Sequence, residues 1–293
     1  MEYAPRHIDL LFFKKKTVSI DGNAVTKAAG LLGTWYAVVF APTDMYLIKG
    51  EPAFRRRFMD TLLAQVSPYY LTALQAYSKA LREKSAVLKR DPIDPDLLAV
   101  YNEQIARYGS RIVHIRSGFV NRLNKCAGDI FEKFSRKKDS LMIHYESFGK
   151  KCLETTEQGV YAAFLSALSS NRHTEKKRRM CLIGPHRDDI QIYVNGNSAK
   201  SFASEGQKRT AAFCMRLAEY EFAGSAFGEP PVILMDDVFG ELDNEKKEVL
   251  ATAIDPECQL FVTCTDVKNL GEFAGNARRF AVSEKKVVEI ASK

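Results

Sequence analysis

The chain has 293 residues, 46% of them hydrophobic and 27% charged, with a formal net charge of +7. That balance belongs to a globular protein of one large or two modest domains, and it argues against a disordered or fibrous chain. No apolar run reaches membrane-spanning length and residues 1–5 do not read as a signal peptide, so a cytoplasmic protein with no membrane role is expected.

The six cysteines form no CxxC pair and no zinc-spaced cluster with histidine, which argues for reduced thiols and against a disulfide framework. The mildly basic balance permits a polyanionic partner without requiring one.

The first fifty residues read as β structure. Residues 8–13 are apolar, residues 17–20 alternate, and Asp21-Gly22-Asn23 makes a turn. Residues 36–40 (Tyr-Ala-Val-Val-Phe) form a short apolar run that suits a buried strand. The pattern then turns helical. Pro52 suits a first helical turn, and Phe54, Phe58, Leu62 and Val66 share one face. Ser67-Pro68 starts a second helix whose stripe is Tyr70, Leu74, Tyr77 and Leu81. Asp91-Pro92 and Asp94-Pro95 break it, and a further helix runs from Leu97 through Ile105 towards Leu123. An all-helical arm is expected from about Glu51 to Lys138.

Strand-like text returns at Ile190, Ile192 and Val194, followed by Asn195-Gly196, a strong hairpin signal. A helix over 207–223, a buried strand over 232–235, a helix near 245–254, a strand over 260–265 and a last hairpin over 280–290 complete the chain. This alternation implies an α/β layer. Residues 1–50 and 175–293 would form one lobe, and residues 51–174 a mainly helical arm inserted into it.

Three segments carry chemistry. The run Val232-Ile233-Leu234-Met235 ends in Asp236-Asp237, placing two carboxylates at the carboxyl end of a buried strand, where open α/β sheets bind ligands. One can hold Mg²⁺ and the next can orient or deprotonate an attacking water, the two tasks phosphoryl transfer needs. A strand running into an acidic turn would look the same. Ser204-Glu205-Gly206-Gln207 has the spacing of a capping box, with free backbone amides that suit an anion; an ordinary well-capped helix would also have it. Gly240-Glu241-Leu242-Asp243 follows, and Asp243 could simply cap the next helix.

In this order and spacing, the three resemble the signature motif, Walker B strand and D-loop of an ABC-type ATPase. Together with Phe40-Ala41-Pro42-Thr43-Asp44, the run from Lys49-Gly50 to Phe58-Met59-Asp60, Tyr108-Gly109 and Gly184-Pro185-His186-Arg187-Asp188-Asp189, they resemble the RecF family of bacterial recombination and gap-repair proteins, related to SMC-type ATPases. The resemblance covers nearly the whole chain. It implies an α/β ABC-ATPase (P-loop NTPase, SMC/RecF-like) head with an inserted all-helical arm, a slow DNA-dependent ATPase using ATP and Mg²⁺. Asp236 would take the metal position and Asp237 the catalytic carboxylate position. Ser204, Gly206 and Gln207 would meet the γ-phosphate of ATP held by a second subunit of an ATP-dependent homodimer, and Asp243 would belong to the nucleotide site. The family's partners are RecR, RecO and DNA at single-strand gaps and single/double-strand junctions. Arg55, Arg56 and Arg57 fall inside a family run and are the expected DNA contacts.

The phosphate-binding run G-x-x-x-x-G-K-[ST], which the family carries near its start, does not occur in these residues. Two expectations follow. Either the chain is a RecF-type DNA-binding ATPase whose first segment lies outside this sequence, or it is a truncated, non-catalytic DNA- or partner-binding remnant. Gly240 also stands where the family usually has Ser.

Overall fold

The computed structural model describes residues 8–12, 16–24, 32–152, 156–241, 244–266, 270, 277–283 and 286–290. Strands β1 (Ile8–Phe12), β2 (Lys16–Ile20) and β3 (Asn23–Ala24) form an antiparallel meander. Strand β4 (Ala37–Phe40) leads through a 3-10 turn at Pro42–Met45 into the short α1 (Tyr46–Lys49). Helix α2 (Pro52–Val66) starts on its proline, and α3 (Pro68–Leu88) is capped by Ser67, whose hydroxyl accepts the Tyr70 amide at 3.2 Å. Asp94 caps the 40-residue α4 (Pro95–Phe134). Phe54 departs from the expected inward stripe. It is 46% exposed and stacks on Tyr46 with ring centroids 4.9 Å apart.

Next come β5 (Leu141–Ser147), β6 (Lys150–Lys151), α5 (Glu157–Arg178), β7 (Asp189–Val194), β8 (Asn197–Ser198) and α6 (Ala199–Phe202). Then follow α7 (Glu205–Phe227), β9 (Val232–Asp236), α8 (Asn244–Ala253), β10 (Leu260–Thr263) and the hairpin β11 (Arg279–Ser283) with β12 (Lys286–Ile290). Two sheets organise the molecule. In one, β9 lies between β10 and β4, all parallel; the other has the antiparallel order β6-β5-β7-β8. Residues 51–138 hold α2, α3 and α4, but β5 and β6 place a strand pair between these helices and α5. Strand β5 buries Leu141, Ile143, Tyr145 and Ser147 and pairs with β7 from Leu141↔Val194 to Glu146↔Asp189.

Sheets and helices share one core. Residues of α4 such as Ile112, Phe119 and Leu123 belong to the same buried cluster as Phe40, Ile192, Phe213 and Ile233. Helix α5 approaches α4 so closely that a Cβ on Gly109 would lie 2.3 Å from the Phe164 ring. Buried charges cross this core in pairs, as buried charges must. Lys84 of α3 meets Glu175 of α5 at 2.6 Å. Arg116 of α4 is 2% exposed and donates to Pro185 O at 2.8 Å, Tyr70 Oη at 2.9 Å and Asp60 at 2.6 Å. Asp188 accepts from the Tyr145 hydroxyl and from Ser147 Oγ at 3.0 Å. The Gly-Pro-His-Arg-Asp-Asp run is therefore mostly interior, a knot tying α2, α3, α4, β5 and β7 together.

Candidate functional site

The parallel sheet presents its carboxyl edge through β9. Ile233 and Met235 are buried, and Asp236 and Asp237 emerge exposed at the strand's end. Thr263 Oγ1 donates to Asp236 Oδ1 at 2.6 Å and itself accepts the Asp237 N–H at 3.2 Å. The Asp237 amide also reaches Thr263 O at 3.2 Å. Asp237 has φ 51, a left-handed conformation that costs an L-residue roughly 1–2 kcal/mol. The buried Val238 and Phe239 follow at once and anchor the turn.

Among the described residues no three metal-ligating side chains converge. Two adjacent exposed carboxylates nevertheless fit Mg²⁺, a hard cation that keeps several waters and takes phosphate oxygens alongside one or two protein ligands.

The second element is the start of α7. Ser204 Oγ accepts the Gln207 amide at 3.2 Å and Gln207 Oε1 accepts the Ser204 amide at 2.9 Å, so the capping box is formed in both directions. Ser204, Glu205 and Gly206 are exposed, and nothing lies within 4 Å of where a Cβ on Gly206 would sit. First-turn amides of an α-helix have no carbonyl partner within the helix, and the dipole is positive there.

The Gln207 amide is held from behind. Its Nε2 donates to Asp139 Oδ2 at 3.1 Å, while Asn195 Nδ2 donates to Asp139 Oδ1 at 2.7 Å. Those hydrogen bonds, Asn195's first, hold the Asp139 carboxyl below its ordinary range. Glu205 pairs with Lys49. A cavity of about 140 Å³ lined by Phe40, Pro42, Gly206, Arg209 and Val238 joins this helix start to the ends of β4 and β9.

The structure separates the arginine run. Arg55 is 5% exposed and uses four of its five N–H donors inside the protein. It makes a bidentate pair with Asp189 at 2.7 and 2.8 Å and donates to the Leu47 and Gly50 carbonyls at 3.2 and 3.0 Å. Its burial and these four hydrogen bonds argue against the expected DNA contact at Arg55. Arg56 is half-buried against the Asp188 carbonyl at 2.9 Å, and only Arg57 is exposed. Asp243 lies outside the described residues. Thr263 is the site residue that sequence reasoning missed. Its signal was a hydroxyl at the end of a predicted strand, but the neighbouring strand was not known.

No protein-family model matches the chain. The DNA replication and repair protein RecF of Symbiobacterium thermophilum is 37% identical over 281 residues, covering 94% of this chain and 74% of that protein. RecF of Streptococcus pyogenes serotype M49 is 36% identical over 276 residues, covering 92% and 73%. Two solved structures of the recombination mediator protein RecF in the RecFOR pathway also match. The ATPrS form superposes with TM-score 0.85 at 27% identity, covering 98% of this chain and 76% of that one. The ATP form gives TM-score 0.83 at 28% identity, covering 94% and 73%.

Proposed function

The chain belongs to the RecF family, with its mixed α/β ABC-ATPase head fold and long helical region, and on that premise we propose that it is an ATP-dependent DNA-binding protein of replication-gap and recombinational repair. Its nucleotide would be sandwiched between two subunits. Asp236 is the proposed Mg²⁺ ligand, through the oxygen that Thr263 leaves free. The metal would supply neutralisation of phosphate charge. Asp237, on its left-handed turn, orients the attacking water and accepts its proton. The turn of Ser204, Gly206 and Gln207 would meet the γ-phosphate of the nucleotide held by the other subunit; its capping box occupies the Ser204 and Gln207 amides, so the Glu205 and Gly206 amides are the ones offered. The proposed partners are RecR, RecO and DNA at single-strand gaps and junctions, and the proposed location is the cytoplasm. The relatives' RecFOR pathway supports the partners.

The open start of α7 carries this reading. A capped helix whose first turn is exposed around a glycine with empty space beside it suits an anion arriving from another molecule. The test is Asp237→Asn in a chain that carries a phosphate-binding loop ahead of these residues. ATP binding is expected to persist, and DNA-stimulated hydrolysis to fall by about 10²-fold or more, because the amide cannot take the proton. Wild-type turnover would remove Asp237 from the chemistry.

A second reading has its own support: these 293 residues contain no phosphate-binding run. The chain by itself would then bind DNA or a partner without turnover. The coding frame ahead of Met1 separates the two: an in-frame G-x-x-x-x-G-K-[ST] supports the first reading, and a stop codon close upstream supports the second.

A further inference from the structure

We propose that Thr263 is a positioning residue that holds the acidic pair in its working geometry. The inference rests on reading Asp236 and Asp237 as the metal and water ligands. A threonine hydroxyl has one proton to give and two lone pairs to receive with. Here it does both at once. It accepts the Asp237 N–H at 3.2 Å and donates to Asp236 Oδ1 at 2.6 Å, so one oxygen bridges two consecutive residues of the neighbouring strand. The parallel register makes this possible, because Thr263 lies opposite Asp236 at the last paired position of β9 and β10.

Two consequences follow. One Asp236 oxygen is occupied, which fixes the carboxylate rotamer and leaves the other oxygen to face a cation. The Asp237 amide is gripped by both the hydroxyl and the carbonyl of Thr263, which helps to hold a φ of 51 that a non-glycine residue seldom adopts. Strand propensity alone does not account for a hydroxyl here. Thr263 is exposed, and valine would extend β10 as well.

The experiment compares the unmodified 293-residue chain with Thr263→Val, which keeps the branched shape, and Thr263→Ser, which keeps the hydroxyl. Amide exchange at Asp237 is read by NMR, and Mn²⁺ alone is titrated as the probe, with selective line broadening at residues 236 and 237 as the second readout. The valine variant should exchange the Asp237 amide about tenfold faster and need about tenfold more Mn²⁺ for equal broadening. The serine variant should restore both, while thermal unfolding stays within a few degrees for all three. Unchanged exchange in the valine variant overturns the proposal. So does undiminished Mn²⁺ broadening in that variant, or failure of serine to restore. If the unmodified chain shows no selective broadening, the metal reading of the pair fails, and the exchange result alone then decides the role of Thr263.

Discussion

His186 is held neutral inside the protein, and its reluctance to be protonated should destabilise the chain as pH falls. Its Nδ1 lies 2.6 Å from the Tyr77 hydroxyl and its Nε2 lies 3.3 Å from Cys181 O. With Nε2 protonated, the ring donates to the carbonyl and accepts from tyrosine. Burial pushes the imidazole down to about 4, opposed by the Cys181 carbonyl and aided by Arg187, Lys84 and Arg56. Burial also raises the Tyr77 hydroxyl well above its usual range, so tyrosine stays a donor. A second ring proton would meet that donor head-on. In the unfolded chain the group titrates near 6.5. Between there and about 4 the unfolded state binds a proton that the native state refuses, so stability is lost as pH drops through that window. The gap is on the order of 3 kcal/mol at about 1.4 kcal/mol per pH unit.

The assay is urea unfolding between about pH 7.5 and pH 4.5, on the unmodified chain and on His186→Asn, whose carbonyl can still accept from Tyr77 but cannot titrate. Asp188 and Glu219 are raised by burial and have the opposite slope, since their native states hold a proton more tightly. That contribution is common to both proteins. The difference between the two curves should therefore grow with acidity, and curves that stay parallel within about 0.5 kcal/mol would refute the reasoning.

Gly184→Ala should destabilise the chain by roughly 2–5 kcal/mol, because at φ 134 the new Cβ would sit 2.2 Å from the Tyr77 hydroxyl; thermal denaturation checks this. Arg55→Ala should cost about 3–5 kcal/mol by leaving Asp189 unpaired, whereas Arg57→Ala should stay within about 0.5 kcal/mol and weaken DNA binding; urea midpoints and filter binding distinguish them. Ser204→Arg should lose about 1 kcal/mol of helix capping and keep native circular dichroism. In a chain carrying the phosphate-binding loop, it should also abolish ATP-driven dimerisation in sedimentation, and dimerisation like the unmodified protein's would reduce Ser204 to a helix cap.

Local features were legible because their causes are local. Ser67 and Ser204 cap their helices as the spacing implied, and Asn195 and Gly196 adopt φ 53 and 77 in the hairpin expected of that pair. The acidic pair was legible because an apolar strand points to its own end. Strand β5 was overlooked, although its alternation of Leu141, Ile143 and Tyr145 was visible. Its partner β7 lies beyond an intervening helix, α5, which buries only Val160, Phe164, Leu168 and Glu175 and so has a weak apolar stripe. The buried pair of Lys84 and Glu175 was not legible, because its two members stand 91 positions apart. For Arg55 the clue was present. It lies three and seven positions before Phe58 and Leu62, hence on the inward face, while Arg57 turns outward.

The knot around Arg116 bears on how such a protein can be altered or recombined. A helical arm that met its head only at a hinge would be a transferable module, open to exchange between relatives. Here α4 brings an arginine whose partners lie on α2, on α3 and at Pro185. An arm of residues 51–174 grafted onto another head would carry Asp60 and Tyr70 with Arg116 but lose the Pro185 carbonyl, and a head deprived of its arm would keep the Pro185 carbonyl and the buried Asp188 without their donors. Arm and head must therefore change together, and viable chimaeras should have their crossover points outside the stretch from Asp60 to Asp188.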